Sequence, residues 1–111
     1  MAELFELSNL LVRRRRSGGR FLEFLRVPAL SAGVYVLPAG GRDAQRPHRE
    51  DEVYYVARGR ATLRVGAADH PVGAGAVVYV PARVPHQFHT IEEELEVLVF
   101  FTPAETAPAD V

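Results

Sequence analysis

The feature that most restricts what this chain can fold into is a succession of short apolar runs, each closed by turn residues. Phe21–Val27 alternates Phe21, Glu23 and Leu25 against Leu22, Phe24 and Arg26, and Pro28 ends it. Leu30–Leu37 follows, then the turn Pro38-Ala39-Gly40-Gly41 and a polar loop through Gln45. Val53–Ala57 and Ala61–Val65 flank Arg58-Gly59-Arg60, which reads as a hairpin corner. Past a turn at Gly66–Asp69 come a short His70–Val72 segment, the apolar strand Ala76–Val80 closed by Pro81, and His86–Ile91. The acidic Glu92-Glu93-Glu94 reads as a turn before a last strand, Leu95–Phe101. β-Branched and aromatic residues punctuated in this way favour extended chain. Short strands at regular spacing imply a sandwich or barrel, and the lack of alternating helices argues against a parallel α/β sheet.

One helix is expected, over residues 3–16. Leu4, Leu7 and Leu11, with Leu10 on the flank, form its apolar stripe. Glu3 and Glu6 at its start and Arg13–Arg16 at its end complement the helix dipole, and Ser17-Gly18-Gly19 stops it. The four arginines read as a solvated helix end, since no aromatic residues interleave them and no helix-turn-helix fits in a single short helix. With 111 residues the chain makes one domain. We expect it over residues 1–103, with the barrel at about 20–102 and the Ala- and Pro-rich residues 104–111 as a disordered tail. The net charge of −1 offers no field for nucleic acid. The absence of Cys excludes thiolate ligands, disulfides and a Cys nucleophile. No apolar run approaches the roughly 20 residues that span a bilayer, and the first residues lack the basic stretch of a signal peptide. A cytoplasmic protein without membrane or nucleic-acid partners is the expectation.

Chemistry concentrates in residues 45–59. Residues of equal parity share a strand face, so Arg46, His48, Glu52 and Tyr54 can point the same way. An imidazole and a carboxylate on an inward face need a reason to be there, and a metal ion is the commonest one.

Two segments have the form and spacing of a known family. Gly40, Arg46, His48, Glu52 and Gly59 stand where the first cupin motif, G(X)5HXH(X)3-4E(X)6G, has its fixed residues. Gly75, Pro81 and His86 stand likewise in the second, G(X)5PXG(X)2H(X)3N. The chain thus resembles a small single-domain bacterial cupin. That resemblance implies an all-β double-stranded β-helix, or jelly-roll barrel, with one short N-terminal helix. It also implies a divalent transition metal such as Fe, Mn, Ni or Zn inside the barrel. Carried over position by position, His48, Glu52 and His86 are the metal ligands, a two-His, one-carboxylate set with open positions for water or substrate. The chain departs from the motifs at Arg46, where a first His stands, at Arg83, where a Gly stands, and at Thr90, where an Asn stands. Arg83 reads as a different turn geometry. Three arrangements stay open around Arg46. Gln45 serves as a weak fourth ligand through a bulge; Arg46 turns inward and pairs with Glu52 in a metal-free barrel; or Arg46 points out and water completes a three-residue site.

Elsewhere, His89 faces away from His86 by strand parity and reads as a surface or interface residue, with a lesser role as a substitute ligand. His70 lies in a turn, and Asp51 reads as solvated. Tyr54 and Phe88 share parity with His48 and His86 and are candidate substrate-binding residues with Arg46, Tyr54 as a pocket wall and Phe88 mainly as core. Tyr55 and Tyr79 suit an inter-sheet or subunit contact. Two functions compete. One is a metal-dependent enzyme on a small molecule, dioxygenase- or isomerase-like, with Glu52 and Tyr54 as catalytic candidates. The other is a non-catalytic binding module of the same fold, anchored by His48, His86 and Arg46. A homodimer through the apolar Phe21–Leu25 strand is expected in either case.

Overall fold

A computed structural model describes residues 2–44 and 47–106. Gln45, Arg46 and residues 107–111, on which the fourth-ligand, inward-arginine and most of the tail expectations fall, lie outside the described residues. The order is α1 (Leu7–Ser17), β1 (Phe21–Val27), β2 (Leu30–Leu37), β3 (Asp51–Val65), β4 (Ala68–Gly73), β5 (Val77–Val80) and β6 (His86–Thr102).

The helix starts later than expected. Residues 3–6 are not helical, and Phe5 packs edge-on against Phe24 of β1 with ring centroids 4.9 Å apart, so the apolar contact takes this segment out of the helix. Leu10 becomes the centre of the buried stripe rather than its flank, while Leu4 is exposed. Gly18 caps α1 in the left-handed conformation, and Arg14, Arg15 and Arg16 fill the last turn as the dipole requires.

The larger corrections concern β3 and β6. Each was expected as two strands around a turn, and each is one strand of 15 or 17 residues. The two pair antiparallel along their whole length, with register shifts between Val56 and Thr62 where the ladder bends. Arg58-Gly59-Arg60 is therefore a bend inside a strand. Gly59 sits at φ 97°, and a Cβ there would lie 2.1 Å from the Glu94 carbonyl oxygen, so the two backbones approach at a distance only Gly permits. The acidic run stays in the strand because Arg60 faces it, with Nε 3.0 Å from Glu92 and an Nη atom 3.4 Å from Glu93.

The bend divides the one continuous six-stranded sheet of the described residues into two halves. In one, β1, β2, the C-terminal half of β6, the N-terminal half of β3 and β5 lie side by side; in the other, the remaining halves of β6 and β3 pair with β4. Their inward side chains form one core that includes Leu37, Tyr54, Leu63, Phe88, Leu95 and Val99. Glu52 and His86 sit at the starts of β3 and β6 among these apolar neighbours, both buried. Residues 104–106, placed by the sequence in the tail, are held against the barrel: Ala104 N–H donates to the Pro28 carbonyl, and Glu105 N–H to Ser31 Oγ.

Candidate metal centre

His48 leaves the loop after Gly41, Glu52 opens β3 and His86 opens β6, so three separate elements deliver the three groups to one point. Each offers a ligand atom, and these atoms all lie within 4.8 Å of one another. Strand parity accounts for Glu52, whose neighbours Asp51 and Val53 are only half-buried. His86 is delivered by the turn Pro81–Pro85, which is tied down twice. Asp51 Oδ1 accepts the Ala82 N–H at 2.8 Å, and the His48 carbonyl accepts the Arg83 N–H at 2.6 Å. Asp51 is thus a turn anchor rather than the solvated residue expected.

The His86 ring is fixed from behind. Its Nδ1 lies 2.9 Å from the Val84 carbonyl, which can only accept, so Nδ1 carries the proton and Nε2 faces the cluster. Nε2 lies 2.9 Å from Glu52 Oε1, and both side chains are all but inaccessible. The pair is not aligned as a hydrogen bond: His86 Nε2 and both Glu52 oxygens have no hydrogen-bond partner among the described residues. A ring-nitrogen lone pair and a carboxylate oxygen this close repel unless a cation lies between them, and buried polar atoms without partners are destabilising. Two ligand atoms about 2.1 Å from a shared ion stand roughly 3.0–3.4 Å apart at octahedral or tetrahedral angles. The His86–Glu52 pair, at 2.9 Å, stands just below that range, and the whole group of ligand atoms spans up to 4.8 Å.

A proton is the other cation that answers this demand. Burial opposes charging the His86 ring, but the Glu52 carboxylate outweighs it and holds the pKa above 6.5. For His48, burial is again the largest effect and again loses, here to Glu105 and Glu52 together. His48 Nδ1 lies 3.0 Å from Glu105 Oε2, and its ring meets Phe101 edge-on at 4.8 Å. The apolar surround is completed by Tyr54, fully buried, with its ring 6.0 Å from His86 and 5.0 Å from Phe88. A pocket of about 230 Å³ opens beside His86, lined by Pro47, Arg64, Gly66, Pro85, His86 and Gln87.

The cupin domain family matches residues 33–102, more than half of the chain. The chain is a cupin. An uncharacterized protein of Streptomyces coelicolor is 49% identical over 102 residues, covering 92% of this cupin and 97% of that protein. Among solved structures, a Thermus thermophilus protein superposes with TM-score 0.72 at 22% identity, covering 93% of this cupin and 99% of its own chain. A cupin 2 conserved barrel domain protein from Rhodopseudomonas palustris gives 0.69 at 22% identity, with 81% and 67% covered. An RmlC-like cupin from Methanocaldococcus jannaschii, with a double-stranded β-helix fold, gives 0.69 at 22%, with 75% and 78% covered.

Two departures from the cupin motifs now have a geometry. Arg83 and Thr90 take positive φ, 65° and 50°, and among the described residues they are the non-glycine residues that do so. The motif residues at these positions are Gly and Asn, the types that tolerate this conformation best. Arg83 therefore keeps the turn that a Gly would make, against the expectation of a different one. His89 points away from the cluster to Asp69, 3.1 Å distant, where Arg64 first and His89 second draw the Asp69 pKa down to about 2. His70 is exposed.

Sequence reasoning missed Glu105 and Asp43. Asp43 is fully buried, accepts the Tyr35 hydroxyl at 2.7 Å and the Phe88 N–H at 2.9 Å, and so ties the loop before His48 to the strand that carries His86. Burial, then Asp43, push the Tyr35 phenol above its ordinary pKa. Neither acid belongs to a motif. The one available signal for Asp43 was an acid beside an otherwise apolar, Gly-rich stretch.

Proposed function

We propose that this cupin holds one divalent transition metal, Fe, Mn, Ni or Zn, at His48, Glu52 and His86 and uses the site on a small molecule. What carries the reading is the convergence of His86 Nε2 and both Glu52 oxygens, buried and unmatched among the described residues. Bound there, such an ion supplies Lewis acidity or, if redox-active, electron transfer to a substrate, as a dioxygenase- or isomerase-like reaction needs. The chain's own groups do the rest. Val84 and the Pro81–Pro85 turn orient His86, Tyr54, Phe88 and Phe101 keep bulk water from the buried side, and a Glu52 oxygen can hold a proton taken from a substrate carbon or hydroxyl.

Metal analysis of protein purified without chelator tests this. One equivalent of metal is expected in the wild type and none in His48→Ala or His86→Ala. No metal, and no change in Tm on adding Fe, Mn, Ni or Zn, would overturn it and leave a metal-free binding module with Arg46 as the counter-charge to Glu52. The proposal includes a homodimer through β1, whose Phe21 and Val27 are partly exposed. A monomeric mass at micromolar concentration would contradict that part.

A further inference from the structure

The C-terminal segment after β6 lies outside the residues matched by the cupin family, yet it reaches the centre. It crosses the β1–β2 turn and is fastened there. Ala104 N–H donates to the Pro28 carbonyl at 3.3 Å, and an Arg26 Nη donates to the Glu105 carbonyl at 2.6 Å. Glu105 N–H donates to Ser31 Oγ at 2.8 Å, and Thr106 N–H to Glu50 Oε2 at 3.2 Å. Ser31 and Glu50 are both buried, so two of the four fastenings face little competition from water. Its product is one contact: Glu105 Oε2 stands 3.0 Å from His48 Nδ1, with the two side chains only 15% and 10% exposed.

We propose that Glu105 is a positioning residue for the centre, gripping His48 by Nδ1 so that Nε2 is the nitrogen given to Glu52 and His86. The inference rests on the metal-site reading and deepens it. Three observations favour positioning over ligation or a mere tether. Glu105 is absent from the group whose ligand atoms lie within 4.8 Å of one another, so it acts behind His48 rather than beside it. His86 is handled in the same way, with Nδ1 engaged by the Val84 carbonyl. The two histidines therefore share one logic, a fixed Nδ1 that settles the tautomer and ring direction. Finally, a tether alone would be complete with the four backbone fastenings, and it would not need a carboxylate turned inward onto an imidazole. Two acceptors behind two imidazoles differ in charge, since only Glu105 brings a full negative charge, which makes His48 the more basic donor.

The test uses the full chain with Glu105→Ala, Glu105→Gln and, as a strap control, Ser31→Ala. The first readout needs no metal: the His48 tautomer by nitrogen NMR of chelator-treated protein, at a pH above both histidine titrations. Wild type and S31A are expected to carry the proton on Nδ1, while E105A shifts to the Nε2–H form. E105Q, whose amide oxygen still accepts, is expected in between, and Glu105→Leu, which keeps bulk but offers no acceptor, serves if E105A does not fold. The second readout is the Kd for Zn(II) by chelator competition, expected to weaken roughly ten- to a hundredfold in E105A and less in E105Q, with S31A unchanged. An unaltered His48 tautomer in E105A, or in Glu105→Leu where E105A is unfolded, overturns the proposal. Should the wild type bind no Zn(II) or other metal, the metal-site reading fails by itself, and the tautomer result still decides the role of Glu105.

Discussion

At the scale of single residues, this cupin places its strain at two positions, Arg83 in the turn before His86 and Thr90 further along β6. Arg83 and Thr90 hold left-handed backbone that costs an L-residue roughly 1–2 kcal/mol, and Thr90 is β-branched as well. Both side chains are exposed, so no packing is lost when they change. Arg83→Gly and Thr90→Asn are each expected to raise stability by about 1 kcal/mol in urea titration, Gly giving back part of its gain as unfolded-state entropy. Stability unchanged in both would mean that the strain is relieved elsewhere. Gly59 is the converse case. Its Cβ would meet backbone rather than a movable side chain. Gly59→Ala should therefore destabilise by about 3–5 kcal/mol, the range of changes that force backbone apart, and a circular-dichroism melt reads it directly. Glycines of the motif were legible as turn residues. Gly40 and Gly75 do lie in turns, but the demand at Gly59, a bend within a continuous ladder, was not legible.

At the scale of elements, what the sequence hid was length. β3 and β6 each pass from one half of the sheet to the other without stopping, and their register shifts look locally like turns because Gly and charged residues collect there. Apolar alternation located β1, β2 and the halves of β3 and β6, since each half obeys period two by itself. It could not join the halves, because joining depends on the backbone ladder continuing across the close approach of Gly59 to Glu94. The cluster was legible for the same local reason. His48, Glu52 and His86 sit at fixed spacings within two motifs, whereas the groups that aim them, Asp43, Val84 and Glu105, are chosen by the fold. Asp43 offers a test of that division. It joins the 38–44 loop to β6 through buried hydrogen bonds to the Tyr35 hydroxyl and the Phe88 N–H. Asp43→Ala leaves that N–H and that hydroxyl without a partner and should cost about 2–4 kcal/mol. Tyr35→Phe, which removes one donor and retains the ring, should cost about 1 kcal/mol. Equal losses in denaturant titration would show that the loop is held by something other than the carboxylate.

At the scale of the molecule, protons and the proposed metal would compete for one buried demand, and that competition would set how stability depends on pH. In the metal-free state both His48 and His86 have pKa values raised above 6.5, burial being overcome by Glu105 and Glu52 for the first and by Glu52 for the second. A histidine whose folded pKa exceeds its unfolded one contributes stability that is fully present below about 6.5 and is lost as pH rises through the folded value. Metal-free protein should thus become less stable as pH rises above about 6.5, because the protons that neutralise the Glu52 contact leave. Binding of the proposed metal would run the other way, since the same two rings must be deprotonated to ligate. The rise in Tm produced by one equivalent of Zn(II) should therefore be small at pH 6 and larger at pH 8, so that the two melting curves diverge as pH increases. His86→Ala removes the buried imidazole and should flatten both trends together. Melts with chelator and with Zn(II) across this window separate the possibilities. If metal-free stability rises with pH in the wild type, the histidines are not the charged partners of Glu52, and some other group answers it.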